Sequence, residues 1–122
     1  MRMRVWIARL PVLLMSAGIV WVSNQSVTVP QPFSFADKLY HVLAYAVYGW
    51  TLLLALRTFP LASRQQLVLA LSIGFLFAAS DELHQAFVPG RTADLLDWVA
   101  DAVGIACAVG LTIVRKEHAC PK

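Results

Sequence analysis

A chain of 122 residues that is 59% hydrophobic and only 14% charged makes one domain or less, and it lacks the composition of a soluble globular protein. Its mean hydropathy of +0.66 points the same way. A formal net charge of +3 could suit nucleic acid, but the basic residues stand singly at segment ends instead of forming a stripe, so the expected partner is a lipid bilayer and no nucleic acid.

The pattern predicts an all-α chain, a four-helix transmembrane bundle forming a single domain over 1–122, with helices at about 4–22, 37–57, 66–87 and 94–114. The first span, Val5 to Val22, is at the short end of what crosses a hydrocarbon core of ~30 Å, and Arg9 and Pro11 interrupt it. The aliphatic stem of Arg9 lets its charge reach back to the interface. A secretory signal peptide is the rival reading, because Arg2 and Arg4 precede an apolar stretch. The exit Val20-Trp21-Val22-Ser23 is too bulky for a good cleavage site, so an uncleaved helix is expected. Ser23 to Phe35, with Pro30 and Pro32, reads as an irregular loop.

The second span starts near Asp37, a candidate N-cap or first-turn acid, and ends at Arg57. Asp37, His41, Tyr45 and Tyr48 recur at spacings of 4, 4 and 3, which puts them on one narrow arc. Thr58 to Arg64, with Pro60, is a short link. The third span begins at Gln66 or Leu67 and runs almost wholly apolar until its last third, which holds Ser80, Asp81, Glu82, His84 and Gln85. Asp81, His84 and Gln85 share a face, while Glu82 points about 100° away toward a different partner.

Val88-Pro89-Gly90-Arg91 has proline second and glycine third, the preference of a type II turn, and predicts a tight antiparallel hairpin of helices three and four. Thr92 or Asp94 should cap the fourth helix. On that helix Asp94, Asp97, Asp101, Gly104 and Ala108 share a face, acids first and small residues below, and small residues let helices approach closely in lipid. Cys107 lies inside the last apolar run and Cys120 beyond it, roughly 20 Å apart along a helix, too far for a disulfide.

Orientation follows from counting. With the N-terminus inside, Arg2, Arg4, Arg9, Arg57, Arg64, Arg115, Lys116 and Lys122 are cytoplasmic, and only Lys38 and Arg91 are outside. Both termini are then cytoplasmic, Cys120 meets a reducing compartment, and the third hairpin lies on the outer side with six of the seven acids. Counted along each helix, His41, Tyr45, Asp81 and Asp101 fall within about two turns of that boundary. A buried Asp–His pair can simply hold helices together, and a tyrosine stripe is commonly an interface anchor. Packing alone has little use for several carboxylates and two histidines in one layer, where ionisable groups must face one another or water.

Two segments resemble the VanZ-like family of small bacterial membrane proteins: D-K-L-Y-H-V-L-A-Y-A-V-Y-G from Asp37 to Gly49, and S-D-E-L-H-Q-A-F-V-P-G-R-T-A-D-L-L-D-W-V-A-D-A-V-G from Ser80 to Gly104. The matching positions are Asp37, Lys38, His41, Tyr45, Ser80, Asp81, Glu82, His84, Gln85, Pro89, Gly90, Arg91, Asp94 and Asp97, and the first helix matches only in character. The resemblance implies a multi-pass protein of the bacterial cytoplasmic membrane, in a family named for a factor that lowers susceptibility to the glycopeptide teicoplanin.

Three functions are then expected candidates. The first is a non-catalytic envelope factor. In it Asp37, His41, Tyr45, Asp81, Glu82, His84, Gln85, Arg91, Asp94, Asp97 and Asp101 bind a polar headgroup, a cell-wall lipid precursor or an envelope protein, with Arg91 suited to phosphate. The second is an intramembrane enzyme on such a lipid. Asp81, His84 and His41 would be its acid–base candidates, and Asp37, His41, Asp81 and His84 candidate ligands of a divalent metal, although their spacing matches no metal motif. The third, an ion relay, ranks last because the inner helix halves carry no charge except Arg9.

Overall fold

A computed structural model of the chain describes residues 2–26 and 30–118. Four helices follow in order: α1 (Arg2–Ser23), α2 (Ala36–Leu56), α3 (Ser63–Gln85) and α4 (Leu95–His118), with no strand among the described residues. Each contains a segment long and apolar enough to cross a membrane: Met3–Ser23, Ala36–Leu56, Ser63–Gln85 and Leu95–Ile113. Cys120 and Lys122 lie outside the described residues.

Several boundaries differ from the expected ones for local reasons. α2 starts after Phe35, which sits in the left-handed region at φ 66°, so Asp37 is a first-turn acid and not the cap. Its backbone N–H donates to Gln31 Oε1 at 3.3 Å. α3 begins three residues earlier than periodicity suggested, because Gln65 reaches back and accepts from the Ala62 N–H at 2.9 Å. It ends two residues earlier, at Gln85, where the chain tightens into the turn. That turn has the expected form: Arg91 N–H donates to Val88 O at 3.0 Å and Gly90 has φ +80°. α4 is capped by Asp94, whose Oδ1 accepts from Leu96 N–H at 2.9 Å.

α2 is the central helix and packs against all three others, most extensively against α4. Its Tyr45, Tyr48, Leu52, Leu53 and Leu56 meet Ala70 and Ala78 of α3 and Ile105 and Val109 of α4 in the core. Tyr48 stacks on Phe77 at 4.7 Å between centroids, and Tyr45 meets Tyr48 edge-on at 5.8 Å. These tyrosines are core residues, not interface anchors. Small residues allow the close α2–α4 crossing. A Cβ on Gly104 would collide with the Val42 carbonyl oxygen, and one on Gly49 would come within 3.1 Å of Ile105 Cα.

α1 closes the bundle loosely, with Val12, Met15 and Ile19 half-buried against the core and Trp6, Leu13 and Leu14 exposed. Pro11 sits inside it without ending it. Arg9 donates from Nε to Thr58 Oγ1 at 2.8 Å and lies 4.1 Å over the Phe59 ring. The charge thus reaches the α2–α3 link and ties α1 to it.

Candidate functional site

The antiparallel order brings the end of α1, the start of α2, the end of α3 and the start of α4 to one end of the bundle. Lys38, on the first turn of α2, donates to Asp94 Oδ2 at 2.7 Å and to Asp97 Oδ1 at 2.5 Å across the α2–α4 seam, and pairs with its neighbour Asp37 at 3.1 Å. One turn deeper, His41 Nδ1 donates to Asp101 Oδ1 at 2.8 Å, leaving Nε2 3.7 Å from Asp97 Oδ1. A further turn down, the Tyr45 hydroxyl donates to Asp81 Oδ2 on α3 at 3.0 Å. Successive turns of α2 therefore meet α4 through Lys38 and His41 and α3 through Tyr45.

Glu82 turns away from Asp81, as its angular offset requires, and accepts the Asp94 N–H at 3.0 Å, tying the α4 start to α3. Gln85 lies at long range, 3.5 Å, from both Asp81 Oδ2 and Ser23 Oγ. Its Oε1 accepts from Arg91 Nη2 at 2.6 Å, and Arg91 Nη1 donates to Gln25 O at 3.3 Å. His84 is the outlier. It is exposed, and its Nε2 donates to Asn24 Oδ1 at 2.8 Å, away from His41.

Burial sharpens the picture. Asp101 is 0%, Asp81 5% and Glu82 6% exposed, and one oxygen of each (Oδ2, Oδ1 and Oε1 respectively) has no hydrogen-bond partner. Orphaned carboxylate oxygens in an apolar bundle are costly unless something else meets them. At the rim, Asp94 lies outside the spans, and the Lys38 ammonium holds its carboxyl below the ordinary value.

Beside this network opens a cleft of about 630 Å³ between α1 and α2, roofed by the α3–α4 turn. One wall is apolar, from Met15, Ile19, Trp21 and Val22 of α1. The other carries Asp37, His41 and Tyr45, joined by Asp81, Gln85, Arg91 and Asp97. Of the expected metal set Asp37, His41, Asp81 and His84, only His41 belongs to a group of converging ligand atoms among the described residues, and its companions there are Glu82 and Asp97. Asp81 is instead bound to Tyr45, and His84 to Asn24.

The VanZ/LLP1 family model matches residues 5–116, from the first apolar span to the basic end of the last. The chain belongs to the VanZ/LLP1 family. No curated protein and no solved structure matches it. The family match includes α1, whose sequence carried no motif but whose residues form the apolar wall of the cleft. Four apolar helices and family membership make this VanZ/LLP1 protein a multi-pass membrane protein. Lys38 is not among the binding residues expected from the sequence, although it is the hub of the ion pairs. The available signal was charge balance, since Lys38 and Arg91 are the two basic residues among six acids at this end. Ser23, Asn24, Gln25 and Gln31 gave no such signal, because they lie in a segment without periodicity.

Proposed function

We propose that this VanZ/LLP1 protein is an envelope factor of the bacterial cytoplasmic membrane, with its polar end at the outer side. There it binds the polar headgroup of a cell-wall lipid precursor and so lowers susceptibility to teicoplanin-type glycopeptides. The observation that carries this reading is the two-faced cleft: an apolar α1 wall opposite acids, imidazole and Arg91 suits a molecule with an acyl chain and a charged head. Arg91 uses two of its five N–H donors on Gln85 and Gln25, so others remain for a phosphate oxygen.

A second reading rests on one contact. Asp101 fixes the His41 ring with Nε2 directed toward Asp97, the arrangement by which a carboxylate orients an acid–base histidine, and His41 lines the cleft. In that case the same lipid class is the substrate of an intramembrane enzyme.

The test is expression of Arg91→Ala and Asp81→Asn variants in a teicoplanin-susceptible host, with susceptibility, protein abundance and envelope-lipid masses measured together. The binder predicts loss of protection at normal abundance with unchanged lipid masses. The enzyme predicts a lipid species that changes mass and reverts in His41→Ala. Protection that survives both cleft substitutions contradicts either reading.

A further inference from the structure

We propose that His41, Glu82 and Asp97 form a binding site for one divalent transition-class cation such as Zn²⁺ or Mn²⁺. Ligand atoms of these three side chains, one each from α2, α3 and α4, lie within 4.8 Å of one another. Two donors on a common ion at about 2.0–2.2 Å stand some 3–4 Å apart, and His41 Nε2 is 3.7 Å from Asp97 Oδ1. That separation is long for a hydrogen bond and right for a shared ion.

Three further observations point to a cation. Asp101, fully buried, accepts a hydrogen bond from His41 Nδ1–H at 2.8 Å, and in the neutral ring this leaves the free lone pair on Nε2. A carboxylate behind a ligating imidazole is the usual outer-shell partner of a metal-bound histidine. Glu82 is 6% exposed and keeps one oxygen without any partner. Finally, charge does not balance. Asp37, Asp81, Glu82, Asp94, Asp97 and Asp101 face Lys38 and Arg91, and Lys38 is committed to Asp37, Asp94 and Asp97. A divalent ion seated below Lys38 offsets the excess where burial makes it most costly.

One imidazole with two carboxylates favours a transition-class ion over Mg²⁺ or Ca²⁺, which prefer all-oxygen shells. Three protein ligands leave a coordination position open, and His41 and Asp97 line the cleft, so the ion would present that position to whatever the cleft holds. The site does not depend on the headgroup reading, since it concerns the ion alone.

The experiment loads purified, detergent-solubilised full chain with Zn²⁺, Mn²⁺ or Co²⁺, removes free metal and counts bound ion per chain. About one equivalent is expected for the parent and for His84→Ala, and near zero for Glu82→Gln and His41→Gln. No retained ion, equal retention in Glu82→Gln, or loss in His84→Ala overturns the site. Should Glu82→Gln fail to fold, titration of the parent with Co²⁺, read by histidine ring NMR signals, decides. Selective perturbation of His41 is expected, and perturbation of His84 alone refutes the proposal. Glycopeptide susceptibility plays no part in the readout, so this result and the envelope test fail separately.

Discussion

Lys38 carries the ion-pair network at the polar end, since three carboxylates converge on one ammonium that is itself only 19% exposed. Lys38→Met keeps much of the stem volume and removes the charge, leaving Asp97 without its cationic partner in a poorly hydrated seam. Solvent at the rim softens the loss, and about 1–3 kcal/mol of destabilisation is expected. Asp94→Asn should cost less, because asparagine can still cap α4 at Leu96 and Asp94 is the most solvated of the three acids. Denaturant unfolding of both variants in micelles checks the order, and a larger effect from Asp94→Asn would contradict it. The sequence disclosed the acids of this network but not its centre. Spacing along one helix says which residues share a face, whereas the identity of a cross-helix partner depends on axial stagger between chain segments far apart.

At the scale of elements, the α2–α4 crossing is the contact that sets the site, because it brings Lys38 and His41 to Asp97 and Asp101. Its depth is limited by Gly104, whose Cα faces the α2 backbone at Val42 and Ala46. Backbone cannot swing aside like a side-chain tip, so Gly104→Ala must push the helices apart. A cost of about 1–3 kcal/mol is expected, together with a weaker His41–Asp101 bond. Gly110, with nothing near its Cβ direction, serves as the control, and Gly110→Ala should be neutral or stabilising by up to ~1 kcal/mol from helix propensity alone. Thermal unfolding of the two variants separates the explanations: equal effects would mean that the crossing tolerates separation. The shared face of Asp97, Asp101, Gly104 and Ala108 was legible from helical period. The start of α3 was not, because a single side chain, Gln65, extends it past the point where hydrophobic periodicity stops.

For the whole molecule, the antiparallel order puts four polar helix ends together, and the distribution of basic residues predicts on which side of the membrane they lie. With Cys107 and Cys120 replaced by alanine, Ala93→Cys should react with a membrane-impermeant maleimide in intact cells, and Ala62→Cys only after permeabilisation. Both positions are exposed, so access is not limited by packing. The opposite pattern would reverse the orientation drawn from the count of eight basic residues against two.

Four spans, the tight 88–91 turn and the gathering of polar residues at one level were determined by the sequence alone, because they depend on hydropathy, on proline and glycine backbone preferences and on a rise of about 1.5 Å per residue. Tertiary structure decided the partners. It sent His84 to Asn24, joined His41 with Glu82 and Asp97, and used α1 as a wall of the cleft. The physical reason is that helix rotation and stagger are set by packing, here by Gly49 of α2 against Ile105 of α4 and by Gly104 of α4 against Val42 of α2, and a shift of one turn would pair every one of these side chains differently.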